Sequence, residues 1–211
     1  MVLDQISIHS IHANSLYSST AIDDLYSHSY KYSNVGVACL YADYNDQRNQ
    51  TLVHILGSFL CQFLTNAQES IPDEVIQKLH NIRKQRRGVA IEDTLALLNI
   101  RIRQFKRAFI CIDAIDELES KVRQHLLSKL KELVTNNNTR LFLTGRGHIR
   151  YEVQKHFTAM EAYAIDISAS PKDIRAFVRQ QIKEDDLNPE AMDKLLAKDI
   201  EDVVIKKSKG M

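Results

Sequence analysis

Short, nearly continuous apolar runs recur along the chain and predict buried strands. They are VGVACLY (35–41), AFICI (108–112), RLFLT (140–144) and YAIDI (163–167). Strands that are buried on both faces, as in a parallel sheet covered by helices, have this composition. The four runs therefore predict the strands of one largely parallel sheet.

Between these runs the apolar residues recur at helical spacing. The clearest stripe consists of Leu52, Ile55, Leu56, Phe59, Leu60 and Phe63, which marks one buried helix face. After the last run, Ser170 and Pro171 are typical of an N-cap and a first helical position. The alternation predicts an α/β fold, a three-layer parallel sheet with helices on both faces, followed by a small all-helical tail from about residue 170.

The amino-terminal segment follows a different pattern. In QISIHSI (5–11) apolar and polar residues alternate. Alternation suits an edge strand or a half-exposed strand better than one buried in the middle of a sheet. A central first strand therefore has no obvious counterpart in the sequence.

Composition and charge narrow the class of protein. The chain has 211 residues, of which 44% are hydrophobic and 26% charged, and its formal net charge is +1. This balance gives no global electrostatic case for binding nucleic acid or an anionic membrane. No apolar run approaches the ~20 residues that span a bilayer, and the first residues do not read as a signal peptide. Three cysteines without metal-like spacing favour a reducing compartment, so we expect a cytoplasmic protein.

Candidate chemistry begins in the stretch FICIDAIDELES (109–120). A buried strand ends there in Asp113, and Asp116 and Glu117 follow three and four residues later. In open α/β sheets, ligands bind beyond the carboxyl ends of the strands. A hydrophobic strand that ends in aspartate is the Walker B arrangement, which holds Mg²⁺, and a further acid can position the attacking water. The alternative interpretation is that these acids cap the next helix and interact with its dipole.

A second strand end carries polar groups of the same kind. The run LFLTGR (141–146) ends in a hydroxyl, Thr144, and a cation, Arg146. This pattern fits a sensor that touches nucleotide phosphate from a neighbouring strand. The alternative is a structural arginine that pairs with local carboxylates. We expect the strands 35–41, 108–112 and 140–144 to be adjacent and parallel, with Asp113 and Arg146 at the same edge.

Together these segments resemble the NTPase domain of the STAND class, in its NACHT and nephrocystin-3-like N-terminal form, which is abundant in fungal NOD-like receptor-type proteins. The resemblance covers the chain from about Ser18 onward and rests on the order and spacing of its motifs. It implies an NTPase core over 18–169 and the start of a helical subdomain over 170–211, truncated at its end. One small departure is Gly147, because the family usually has proline after the sensor arginine.

The resemblance also implies a function and a set of site residues. Relatives of this kind are ATPases or GTPases that act as signalling switches, with Mg²⁺ and ATP or GTP as cofactors. By resemblance, Asp113 holds the metal, Asp116 and Glu117 are catalytic, and Thr144 and Arg146 contact the nucleotide. The expected partners are other proteins or further copies of the chain, with no nucleic acid and no membrane.

The phosphate-binding loop of such enzymes has no counterpart here. They need GxxxxGK followed by Ser or Thr, whose backbone N–H groups cradle the phosphates. The first glycine of this chain is Gly36, no Gly-Lys pair occurs, and Ala13, Asn14 and Ser15 stand at the expected place. Ser15 offers only the magnesium-binding hydroxyl.

We interpret residues 1–17 as a divergent segment that replaces the first strand and the loop. The chain alone is then expected to be inactive and to bind no nucleotide cofactor effectively, as a truncated or degenerate member of its class. The alternative function is a nucleotide-independent protein-interaction module.

Overall fold

The computed structural model describes residues 6–11, 15–32, 34–65, 70–86, 88–158, 160, 162–167, 171–184 and 194–208. The chain divides into two compact units, Met1–Asp166 and Ile167–Met211. The first unit contains the sheet and the candidate site, and the second is helical. No helix among the described residues is both long and apolar enough to cross a membrane.

The first unit is built on a five-stranded sheet. Its strands are β1 (Ile6–Ile11), β2 (Val35–Tyr41), β3 (Arg107–Asp113), β4 (Thr139–Gly145) and β5 (Ala162–Ile167). They lie in the order β2-β3-β4-β1-β5. The pairs β2–β3, β3–β4 and β1–β4 are parallel. The prediction that the three runs from 35 to 144 form adjacent parallel strands is confirmed.

Helices connect the strands, and the helix Leu52–Thr65 lies where the clearest apolar stripe predicts it. They are α1 (Ser15–Lys31), α2 (Leu52–Thr65), α3 (Asp73–Lys84), α4 (Ile91–Ile102), α5 (Ser120–Asn136) and α6 (Arg150–Phe157). The second unit contains α7 (Pro171–Glu184) and α8 (Lys194–Ser208). There Arg179 Nε donates to Glu201 Oε1 at 2.7 Å, which joins the two helices.

Side chains alternate between the two faces of β3 and reach two separate apolar clusters. Ile110 and Ile112 pack into the larger cluster, with residues of α2, α4 and α5. Phe109 and Cys111 pack into the smaller one, with Ile22 of α1. Because both faces are covered, the strand has no exposed apolar face, which explains its continuous apolar sequence. The predicted α/β fold, with helices on both faces of a parallel sheet, is confirmed.

The expectation of an edge position for the first strand is wrong. Ile6–Ile11 forms β1, which lies inside the sheet between β4 and β5 rather than at an edge. Its register with β4 pairs Ile6 with Leu141 and Ser10 with Gly145. Backbone groups make this ladder, so alternate polar side chains do not prevent an interior position. Residues 6–11 therefore supply a strand of this sheet, and the interpretation of 1–17 as a divergent segment stays a prediction.

The open edge of β2 is covered by a side chain of α2. Gln62 Oε1 accepts from the Cys39 backbone N–H at 2.8 Å, and Gln62 Nε2 donates to the Cys39 carbonyl at 2.8 Å. The amide thus makes the two hydrogen bonds that a further strand would make. An edge satisfied in this way is less available for pairing with another chain.

Candidate functional site

The carboxyl ends of β3 and β4 bring the predicted site residues together. Asp113 is the last residue of β3, and Thr144 and Arg146 lie at the end of β4 and directly after it. The two strands are parallel neighbours with Ile112 opposite Leu143. Asp113 and Arg146 therefore stand at the same edge of the sheet, as expected.

Thr144 connects the two strand ends through its hydroxyl group. The hydroxyl donates to Asp113 Oδ1 and accepts from the backbone N–H of Ala114 at 2.9 Å. Thr144 is buried and Asp113 is only 9% exposed. The carboxylate therefore sits in a protein-lined position in which one oxygen is already hydrogen-bonded.

The chain turns sharply directly after Asp113. Ala114 has φ 53° and ψ 45°, in the left-handed region. A residue with a Cβ in this conformation costs about 1 kcal/mol or more. A 3₁₀ turn, Ile115–Glu117, follows at once, with the Glu117 N–H donating to the Ala114 carbonyl at 2.8 Å. This turn sends Asp116 and Glu117 back towards the end of β4.

Asp116 is held against the end of β4. Its Oδ1 accepts from the Arg146 backbone N–H at 3.2 Å, and its Oδ2 lies 3.6 Å from Arg146 Nε. The Asp116 side chain is 4% exposed, whereas that of Arg146 is 61% exposed. The missing side chain of Gly145 makes this approach possible, since a Cβ there would lie 3.2 Å from Asp116 Oδ1. Asp116 thus faces protein donors instead of open solvent.

Glu117 is also held by neighbouring groups. Its Oε2 accepts from the Tyr44 backbone N–H at 3.1 Å, and its Oε1 lies 4.0 Å from Arg146 Nη2. Its carbonyl accepts from Gln47 Nε2 at 3.2 Å. Both acids that the resemblance names as catalytic therefore contact Arg146. Arg146 pairs with local carboxylates, and its role as a phosphate sensor stays a prediction.

Arg123, which the sequence pattern does not single out, donates hydrogen bonds to this turn. Arg123 Nη1 donates to the Leu118 carbonyl at 2.9 Å and to the Asp116 carbonyl at 3.4 Å. Its Nη2 forms a 2.9 Å ion pair with Glu152 of α6. The signal in the sequence is slight: a cation next to the apolar stripe of α5 reads as a solvated position. Arg123 ties the turn to two helices and so positions Asp116.

Tyr41 reports on the electrostatics beside Asp113. It is the register partner of Asp113 on β2. Burial raises the pKa of the Tyr41 hydroxyl, and its interactions with Cys39, Asp23 and Asp113 raise it further. The neighbourhood of the strand ends is therefore one in which additional negative charge is disfavoured.

The expected place of the phosphate-binding loop falls largely outside the described residues. Ala13 and Asn14 lie outside the described residues, and the side chain of Ser15 is not described either. The first glycine of the chain is Gly36, so a GxxxxGK motif, whose glycines shape the loop, has no counterpart before Ser15.

The described side chains do not make a magnesium site by themselves. Asp113 offers one carboxylate, and Asp116 and Glu117 accept from protein N–H groups. Among the described residues, no three His, Cys, Asp or Glu side chains are grouped to hold a metal ion. In P-loop proteins the remaining ligands come from the loop hydroxyl and the nucleotide itself. The role of Asp113 as a metal ligand stays a prediction, and we derive no step through the ion.

Comparisons with known proteins agree with this arrangement. The family model described as Nephrocystin 3, N-terminal, matches residues 12–146, which is more than half of the chain. No curated protein matches the sequence.

Two solved structures are similar in fold. One is the Orc1 protein of Aeropyrum pernix, solved in complex with DNA, with a TM-score of 0.55 and 10% identity over 87% of this chain and 44% of that one. The other is Cdc6p from Pyrobaculum aerophilum, with a TM-score of 0.53 and 14% identity over 85% of this chain and 43% of that one. This chain spans less than half the length of either. At these identities the likeness shows a P-loop NTPase-like fold and nothing about ligands.

Proposed function

The chain belongs to the nephrocystin 3, N-terminal family, and on this basis we propose that it is a STAND-type signalling module that no longer binds nucleotide effectively. Relatives with a complete phosphate-binding loop use ATP or GTP with Mg²⁺, according to the resemblance. Here the fold is retained, while the loop that carries most phosphate contacts is not. The observation that supports this proposal most directly is the sequence itself, in which no glycine precedes Gly36 and no Gly-Lys pair occurs.

The energetic argument follows from the contacts that are missing. In P-loop proteins the backbone amides of the loop and its lysine make most phosphate contacts. Each charge-assisted hydrogen bond is worth about 1.5–3 kcal/mol. Losing several of them weakens a micromolar site to about millimolar or beyond. The remaining acids do not compensate, because carboxylates reach phosphate only through a metal ion.

The contacts of the acids support the same proposal. In an active site, Asp116 or Glu117 would need a free carboxylate oxygen aimed at a water molecule. Here one oxygen of each acid accepts from a backbone N–H group, and the other lies 3.6 Å (Asp116 Oδ2) or 4.0 Å (Glu117 Oε1) from an Arg146 nitrogen, so each carboxylate faces this arginine. This network gives the turn a structural role. It also favours the second candidate function, a protein-interaction module that works without nucleotide.

The partners that we propose are proteins, including further copies of the chain. DNA is not among them, although the Orc1 protein of similar fold was solved with DNA. That likeness concerns the fold alone, and the formal net charge of +1 gives no general attraction to phosphate backbones. A mobility-shift measurement with duplex DNA tests this part: a specific complex at physiological salt would overturn it.

Isothermal calorimetry with ATP and Mg²⁺ on the full chain tests the central proposal. We expect no saturable heat at micromolar ATP. A micromolar dissociation constant that is lost in Asp113→Asn, but kept in Glu119→Gln, would overturn it, since Glu119 is an exposed carboxylate just past the site. That outcome would mean that another segment replaces the phosphate-binding loop.

A further inference from the structure

A second cleft lies at the opposite end of the sheet, where β2 and β3 begin. It encloses about 370 Å³ and is lined by the end of α1, the start of β2 and the residues that lead into β3. This volume falls within the range of small-molecule sites, about 300–1,000 Å³. Because the candidate site occupies the carboxyl ends of the strands, this cleft is independent of it.

Three permanent positive charges converge on this cleft from two separate segments. Lys31 comes from the last turn of α1, and Lys106 and Arg107 lead into β3. None of the residues that line the cleft is acidic. In the described part of the chain, none of these three cations forms an ion pair within 4.0 Å. The cleft therefore carries positive charge that the described protein groups do not neutralise.

The backbone holds these cations in place. The Arg107 N–H donates to the Asn34 carbonyl at 3.3 Å, which joins the starts of β3 and β2. The Lys106 carbonyl accepts from Asn138 Nδ2 at 2.5 Å. The backbone that carries Lys106 and Arg107 is therefore hydrogen-bonded to neighbouring segments, which limits the backbone part of the ordering cost of binding a ligand.

A structural explanation accounts for only part of this charge. Lys31 and His28 lie in the last turn of α1, where positive charge interacts favourably with the helix dipole. Lys106 precedes β3 and Arg107 is its first residue, so neither lies at the end of a helix. Like charges that line one cleft without an acidic residue among them repel each other, and an anionic ligand would relieve that repulsion.

An aromatic surface adjoins the cations. The His28 and Tyr32 rings lie 4.5 Å apart at an angle of 41°, and Tyr32 is 55% exposed. A planar or apolar part of a ligand can pack on this pair while its anionic part meets the lysines and the arginine. Arginine binds phosphate through two N–H groups at once, and lysine adds a point charge.

We propose that this cleft binds a small organic phosphate through Lys31, Lys106 and Arg107, without a metal ion. A phosphate with two or more negative charges matches the three cations better than a single carboxylate does. Nucleoside monophosphates and phosphorylated polyols both carry such phosphate groups, but only the nucleotides carry an aromatic base. The proposed site binds phosphate at the amino ends of the strands, so it does not depend on a GxxxxGK loop.

Calorimetry in metal-free buffer with EDTA tests the proposal, using AMP, inositol trisphosphate and inorganic tripolyphosphate as probes. We expect saturable binding of at least one probe to the full chain, weakened by increasing salt. In Lys31→Gln/Lys106→Gln the affinity should fall at least about tenfold, as expected when two charged hydrogen bonds are lost. The matched control Lys84→Gln/Lys121→Gln removes the same charge from exposed positions elsewhere and should leave the affinity unchanged.

The probes distinguish the two sources of the phosphate. Stronger binding of AMP that is reduced in Tyr32→Leu indicates a nucleoside phosphate, whereas equal binding of the polyol phosphate indicates that phosphate alone is recognised. No binding at millimolar probe would overturn the proposal, and so would an equal loss in the control pair. Binding of a single-stranded oligonucleotide that tightens with its length would assign the cleft to nucleic acid and would also overturn it.

Discussion

The hydroxyl of Thr144 holds the carboxylate of Asp113, and it does so from the neighbouring strand. It donates to Asp113 Oδ1 and accepts from the Ala114 N–H at 2.9 Å. One buried side chain therefore satisfies both the acid at the end of β3 and the strained residue that follows it. The relationship makes Thr144 a structural residue, whatever the site binds.

Thr144→Val keeps the shape of the side chain and removes the hydroxyl. It leaves Asp113 Oδ1 and the Ala114 N–H without this partner in a buried position. We expect the free energy of unfolding to fall by about 1–3 kcal/mol, the cost of an unsatisfied buried polar group. Urea denaturation followed by circular dichroism measures this change.

Thr144→Ser is the control, because it keeps the hydroxyl and loses one methyl group. Its cost should be smaller than that of Thr144→Val, about 1 kcal/mol for the lost methyl group. If Thr144→Val has the same free energy of unfolding as the natural chain, the hydrogen bonds of Thr144 contribute nothing measurable to folding.

The edge of the sheet where this pair lies was predictable from the sequence. Continuous apolar runs identify strands buried on both faces, and parallel strands place their carboxyl ends together. These two facts were enough to put Asp113 and Arg146 at one edge. The roles of the side chains were not, because a hydrogen bond such as Thr144 to Asp113 depends on the register between strands that are distant in sequence.

Patterns failed where backbone or tertiary contacts outweigh side-chain preference. β1 alternates polar and apolar residues and still lies inside the sheet. Arg101 is fully buried, with its Nε donating to the Phe63 carbonyl at 3.1 Å and its guanidinium 5.0 Å from the centre of the Phe105 ring. Phe105 lies only four residues after Arg101, but the contact with the Phe63 carbonyl cannot be read from the residues near Arg101, since that carbonyl belongs to the end of another helix. Gln62, which covers the edge of β2, is hidden in the sequence for the same reason.

Gly145→Ala tests how closely Asp116 must approach β4. An added Cβ would lie 2.8 Å from Ile149 Cδ1 and 3.2 Å from Asp116 Oδ1. Both neighbours must move, so we expect a loss of about 1–3 kcal/mol in the free energy of unfolding. The same displacement should separate Asp116 from Arg146, which the backbone amide shift of Arg146 in NMR spectra would report.

Gly57→Ala provides the matched control in α2. No atom lies within 4 Å of the Cβ that this substitution adds. Alanine is favoured over glycine inside a helix by about 0.5–1 kcal/mol, so this variant should be slightly more stable than the natural chain. Equal effects of the two substitutions would contradict the tight contact at Gly145.

The ion pair between Arg123 and Glu152 is expected to contribute measurably to stability. The pair is mostly buried, and Arg123 also donates a hydrogen bond to the Leu118 carbonyl. Arg123→Met should lower the free energy of unfolding by about 2–4 kcal/mol, because it leaves a carboxylate and a carbonyl without their partner. A double-mutant cycle with Glu152→Gln should give a coupling energy of about 1 kcal/mol or more.

The pair Lys129–Glu132 is the control for this cycle. It has the same 2.9 Å separation but lies on the exposed face of α5. Exposed pairs of this kind contribute about 0.2–0.5 kcal/mol. If both cycles give the same coupling energy, burial does not strengthen the pair between Arg123 and Glu152.

His156 of α6 gives a prediction of how the stability of the folded chain depends on pH. Burial lowers the pKa of His156, the carboxylate of Glu152 raises it, and Lys131 and Lys155 lower it, with a net shift downward. Above the ordinary pKa of about 6.5 the ring is neutral in both the folded and the unfolded chain. As the pH falls below that value the unfolded chain takes up the proton first, so the folded state loses stability. His156→Gln should remove this part of the acid sensitivity.

NMR titration of the His156 ring measures the shift directly, and Glu152→Gln tests its cause. Removing the carboxylate takes away the only contribution that raises the pKa of His156. The pKa should therefore fall further in Glu152→Gln, and the loss of stability towards acid pH, read from urea denaturation at a series of pH values, should become steeper. A pKa at or above the ordinary value in the natural chain, or an upward shift in Glu152→Gln, would mean that the ring is better solvated than its position on α6 implies.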